Sequence, residues 1–134
     1  MDPKEVLKKY QEELAQEIVI DEINVRDVQM KLPSIKHRWV GLLIRRKQDL
    51  RDLEKQKYAI LEKLIEHITS SEPTKISRIV AERISNKHPE LEKISQQISD
   101  VEIIIEYLEK VEKILSTMSF DIKNLVEIIK LEVM

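Results

Sequence analysis

A single glycine, Gly41, in a chain of 134 residues removes most folds from consideration. Phosphate-cradling loops and dinucleotide turns need several glycines. Tight β-hairpins favour Gly or Asn-Gly at the turn, and no Asn-Gly pair occurs. Nucleotide-binding and all-β folds are therefore disfavoured. Aromatic residues make up only 4% of the chain, while Glu, Lys, Ile and Leu are abundant. Such a composition belongs to an all-α protein with long helices. The length fits one domain, or one domain with an appended helix.

Helix signals run through the chain. Asp2-Pro3 is an N-cap followed by proline at the first helical position, and Val6, Leu7, Tyr10 and Leu14 recur at helical spacing. This helix is expected to fade near Glu17. Ile18-Val19-Ile20 reads as an extended link, and Asp21 as the cap of a short second helix. Pro33 is expected to interrupt it, because proline disfavours the α-region at the residue before it. A long helix then spans about 34–69, with Trp39, Leu43, Arg46, Leu50, Leu53, Lys57, Ile60, Leu64 and His67 forming a heptad seam. At 1.5 Å per residue it would be roughly 50 Å long. Thr69–Pro73 marks a break, and Lys75 to Asn86 reads as a short amphipathic helix. His88-Pro89 opens another heptad-patterned helix, with Leu91, Ile94, Ile98, Val101, Ile105, Leu108, Val111 and Leu115. A break is expected at Ser116–Ser119. The last segment, from Phe120, is apolar most of the way round and needs cover on more than one side.

Charge is unevenly distributed. Residues 31–63 hold ten Lys/Arg against four Asp/Glu, a surplus of six in a chain whose net charge is −2. Residues 1–30 and 90–134 are both acidic. Unrolled as a helix, Lys36, Lys47, Arg51 and Lys55 share one sector about 100° wide beside the apolar seam, and Tyr58 falls within it. Lys47, Arg51 and Lys55 step by four, placing their anchors about 6 Å apart along the axis. Arg38, Arg45 and Lys63 lie on the opposite flank. Such a surface suits a long anion, and Tyr58 could stack on a base. The ordinary alternative is a solvated face laced with ion pairs, for which Arg45–Asp49, Asp52–Lys55 and Glu54–Lys57 have the spacing.

Other chemistry finds no support. Cysteine is absent, which excludes disulfides and thiolate metal sites. His37, His67 and His88 match no metal-ligand spacing, and no nucleophile–base order is suggestive. No catalytic residue, cofactor or metal is expected. The opening Met-Asp-Pro-Lys-Glu shows no signal peptide, and no apolar run approaches the ~18 residues of a membrane span. A soluble intracellular protein is expected.

Short runs in a fixed order resemble one family. Tyr10-Gln11-Glu12-Glu13-Leu14, Ile18-Val19-Ile20-Asp21, Lys36-His37-Arg38-Trp39, Leu53-Glu54-Lys55-Gln56-Lys57 and Phe120-Asp121-Ile122-Lys123-Asn124-Leu125 look like the UvsY recombination mediators of T-even-type phages. The resemblance implies a non-enzymatic phage protein in the host cytoplasm. It would bind single-stranded DNA without sequence preference and weaken the hold of single-strand-binding protein. It would then load a RecA-like recombinase of the UvsX type in homologous recombination and repair. It also implies a closed homo-oligomer of about six or seven subunits, in which many weak phosphate sites act together. One departure stands out. The family carries a Leu-Lys-Ala-Arg motif linked to DNA binding, whereas this chain reads Leu61-Glu62-Lys63-Leu64.

The expectation is an all-α, elongated helical bundle with long coiled-coil-like helices that assembles into a homo-oligomer. Residues 1–117 would form the DNA-binding domain, and 118–134 a helix for self-association through Phe120, Ile122, Leu125, Val126 and Ile129. The expected DNA contacts are Lys36, Arg45, Arg46, Lys47, Arg51, Lys55, Lys57, Tyr58 and Lys63. The residues alone also fit a coiled-coil scaffold protein that binds protein partners only, its basic helix docking against residues 90–134 of a neighbouring subunit.

Overall fold

The fold was taken from a computed structural model that describes residues 1–71 and 76–133. Helix α1 covers Pro3–Glu17. Asp2 caps it, its carboxylate accepting the Lys4 N–H at 3.0 Å, with Pro3 in the first turn where a missing N–H costs nothing. A tight turn follows in which Asp21 and Asn24 cap each other. The Asp21 carboxylate accepts the N–H groups of Ile23 and Asn24, and the Asn24 side-chain oxygen accepts the Asp21 N–H, all at 2.8 Å.

Helix α2 starts there and runs over Val25–Ser71 without interruption. The helix expected from Asp21 and the one expected over about 34–69 are thus one element, and Pro33 lies inside it. A mid-helix proline costs about 3 kcal/mol. Burial of Leu32 and Trp39 on either side offsets that cost and holds the helix through it. The break expected at Thr69–Pro73 is not seen at its first three residues, since Thr69, Ser70 and Ser71 are still helical; the rest of it, and Lys75 where the next helix is expected to start, lie outside the described residues. Helix α3, Arg78–Ser85, is capped by Ser77, whose hydroxyl accepts the Val80 N–H at 3.3 Å. Its packed side is made of the small residues Ala81 and Ser85, while Ile79, Val80 and Ile84 stay exposed.

Helix α4 covers Pro89–Val133, and its first turn is capped by the His88 ring nitrogen, which accepts the Glu90 N–H at 3.1 Å. The break expected at Ser116–Ser119 does not occur. Ser116 and Thr117 turn their hydroxyls back onto the Glu112 and Ile114 carbonyls, both at 2.9 Å, which keeps polar side chains compatible with a helix. Met118 and Ile122 carry the buried seam onward from Leu115 at spacings of three and four.

The described residues are therefore all-α, four helices with two long ones packed together. Contacts divide it into two units. The first holds α1, α2 up to Arg46 and α4 from Ile103 on. Its core gathers Tyr10, Leu14, Leu32, Trp39, Leu43, Ile104, Leu108, Val111, Leu115 and Ile122. Trp39 anchors it: Tyr10 meets its ring edge-on at 5.6 Å, the Arg38 guanidinium lies over it at 4.7 Å, and its N–H donates to Glu17. The second unit, Lys47–Glu102, packs Ile65, Ala81, Ser85, Leu91, Ile94 and Val101. Along α2 the seam drifts. Trp39 and Leu43 are buried as expected, but near the far end Ile65 is buried while Leu64 is half-buried and His67 exposed. A strict seven-residue repeat slips about 20° per heptad on a straight helix, enough over this distance to hand the position to the next residue.

Candidate nucleic-acid interface

The basic stripe of the second unit lies on α2. Lys47, Arg51, Lys55 and Lys63 are exposed, Lys57 is half-buried, and Tyr58 is 66% exposed. The four-residue steps of Lys47, Arg51 and Lys55 put all three on one face, with Tyr58 between Lys47 and Arg51 in angle. Glu54 stands at the edge of that face.

Ion pairs do not account for this run of charge. Among the described residues no carboxylate lies within 4.0 Å of Arg45, Lys47, Arg51, Lys55, Lys57 or Lys63. The pairings that spacing alone offered, Arg45–Asp49, Asp52–Lys55 and Glu54–Lys57, are therefore not made. Like charges four apart cost a helix a few tenths of a kcal/mol each, so Lys47, Arg51 and Lys55 are held next to one another with no ion pair among the described residues to offset that cost.

In the first unit the basic residues have different surroundings. Arg45 is exposed. Arg46 is half-buried, donating to the Tyr10 hydroxyl at 3.3 Å. Lys36 is half-buried, its ammonium donating to the Ser119 hydroxyl at 3.3 Å. Arg38 is engaged by α1, where Glu13 and Glu17 accept from its guanidinium. Burial pulls its pKa down, and the bonds to Glu17 and then Glu13 outweigh that and hold it above its ordinary value. This arginine ties α1 to α2 and belongs to the fold.

Sequence reasoning missed Arg78 on α3. Its guanidinium donates to Glu62 of α2 and pairs with Glu82 at 3.3 Å. The bond to Glu62, followed by attraction to Glu62, Glu82 and Tyr58, raises its pKa. Only the Arg78–Glu82 spacing of four was legible in advance; the reach to Glu62 depends on how α3 folds back.

No group of His, Asp or Glu among the described residues is arranged to hold a metal ion. What the fold presents on one face of α2 is a row of exposed cations with one exposed aromatic among them. The UvsY family, described as recombination, repair and ssDNA binding protein, matches residues 13–133, and the chain belongs to that family. The resemblance read from the short sequence runs is thus borne out, and the family is non-enzymatic. The fold is similar to the crystal structure of the recombination mediator protein UvsY of bacteriophage T4, with a TM-score of 0.81, 16% identity, and coverage of 94% of this chain and 98% of that one. No curated protein matches the sequence.

Proposed function

We propose that this chain is a recombination mediator. It binds single-stranded DNA without sequence preference, weakens single-strand-binding protein on it, and helps load a RecA-like recombinase. The observation that carries the reading is the row Lys47, Arg51, Lys55 on α2, cations kept side by side with no carboxylate within 4.0 Å among the described residues. Lys57, Tyr58 and Lys63 add to it, and Arg45, Arg46 and Lys36 supply further positive charge on the same helix. With one exposed tyrosine there, recognition runs through phosphate and is nearly blind to base.

Self-association belongs to the same reading. Ile122 is buried within the chain and Leu125, Val126 and Ile129 are half-buried, while Phe120, Ile128, Leu131 and Val133 are exposed. A second copy is the natural cover for that outer side, and a closed oligomer would raise the effective concentration of weak phosphate sites. Because Met118 and Ile122 belong to the core, the side chains to change are the outer ones. Phe120→Asp with Leu131→Asp should lower the mass seen by sedimentation while leaving the helical signal intact; an unchanged mass would assign assembly to another surface.

The function is tested by fluorescence titration with oligo-dT, then by release of single-strand-binding protein and recombinase filament growth on the same strand. Absence of binding to oligo-dT at low salt would sink the reading and leave a self-associating scaffold.

A further inference from the structure

Beyond Tyr58 the basic face of α2 meets a carboxylate. Steps of three and four along the helix lead from Lys55 to Tyr58 and on to Glu62, so Glu62 occupies the next place on that face. A bare negative charge there would repel a phosphate chain laid along Lys47, Arg51 and Lys55. It is not bare. The Arg78 guanidinium comes across from α3 and bonds it, and Glu82, one turn further along α3, holds the same guanidinium at 3.3 Å. Arg78 is still 58% exposed. Both carboxylates are within reach of water, at 33% and 44% exposure. Exposed ion pairs of this kind are weak and easily exchanged.

We propose that Arg78 is a switchable phosphate contact, parked on Glu62 and Glu82 in the free protein and drawn onto the strand when DNA lies along the α2 face. The inference rests on the reading of that face as the DNA site and adds a partner from a second helix. Guanidinium suits the role because its planar fork pairs equally well with carboxylate and phosphate. The strand would then be held between a row of cations on α2 and one from α3, with Tyr58 beneath. Glu62 acts as the competitor that keeps the arginine in place and tunes affinity downward.

The consequence is a charge-specific pattern that a purely structural α2–α3 tie does not give. Each phosphate contact on a single strand contributes about 0.7 to the slope of log affinity against log salt. Arg78→Ala should lose about that much slope, which is roughly fivefold in affinity at 0.1 M salt. Arg78→Lys should keep the slope. Glu62→Gln frees the arginine and should tighten binding several-fold, and the double variant Glu62→Gln/Arg78→Ala should lose that gain.

The experiment is a salt titration of oligo-dT binding with the full chain and these variants, with thermal melts run alongside. If Arg78→Ala keeps the wild-type slope, or Glu62→Gln weakens binding as Arg78→Ala does, the proposal is overturned and the pair is only a tie between helices. The variant Lys47/Arg51/Lys55→Ala is run as the reference for the face itself. A wild-type slope in that variant, or no binding by the wild type, overturns the reading of the face and the proposal with it. A flattened slope there with no effect of Arg78→Ala overturns only the proposal.

Discussion

Replacing Lys47, Arg51 and Lys55 together by alanine should make the protein more stable and a poorer DNA binder. The helix carries two like-charge pairs at four-residue spacing, Lys47 with Arg51 and Arg51 with Lys55, each costing about 0.2–0.5 kcal/mol. None of the three has a carboxylate within 4.0 Å among the described residues, so no ion pair is lost on substitution. All three are exposed, so no cavity opens. Alanine is also the best helix former. Together these effects give about 1 kcal/mol of added stability, or a rise in Tm of roughly 2–4 °C for a chain of this size. Removing three phosphate contacts flattens the salt slope by about 2 on a single strand. Between 50 and 200 mM salt, wild-type affinity should therefore fall roughly 20-fold more than that of the variant. The two readouts, urea or thermal unfolding and fluorescence titration with oligo-dT, move in opposite directions. A variant that binds poorly because it is misfolded would lose stability and fail this pattern. Lower stability, or an unchanged salt slope, would refute the reasoning that these cations are kept together for an anion.

Two further perturbations probe the scaffold. Gly41 is exposed, sits in the interior of α2, and a Cβ added there would meet nothing within 4 Å; Gly41→Ala should stabilise by about 0.8–1 kcal/mol in urea unfolding, and a loss of stability or of assembly would place a partner against that spot. The Glu132 carboxylate raises the Glu22 pKa above its usual value of 4.5, first by hydrogen bonding to the protonated form and then by repulsion of the charged one. The folded chain therefore keeps a proton that the unfolded chain has lost, so this stabilisation is complete below the ordinary carboxylate range and lost as pH rises through the raised value. Glu132→Gln should flatten that part of the urea midpoint against pH; an unaltered profile would remove the pair from the account.

The helices were legible where local chemistry decides them. The cap at Asp2-Pro3, the end near Glu17, the turn at Asp21 and the start at Pro89 all stand as read, because each is fixed by a hydrogen bond or a missing N–H within a few residues. Pro33 and Ser116–Ser119 misled because their local cost is real but outweighed by burial of Leu32, Trp39, Met118 and Ile122, which only the tertiary fold supplies. The basic face was legible from spacing and charge alone. What spacing could not say was which cations are already engaged. Arg38 is taken by Glu13 and Glu17 of α1, and Arg78 arrives at Glu62 from a helix 16 residues further along the chain.

Single-stranded DNA is proposed to lie on the α2 face that carries Lys47, Arg51, Lys55 and Tyr58. Photocrosslinking of oligo-dT carrying 5-iodouracil, followed by peptide mapping, tests it most directly, since an adduct reports contact and not affinity. The account predicts adducts within residues 47–63, with Tyr58 prominent, and their loss in Lys47/Arg51/Lys55→Ala. Adducts confined to residues 90–133 of α4, or spread without preference over the chain, would contradict it.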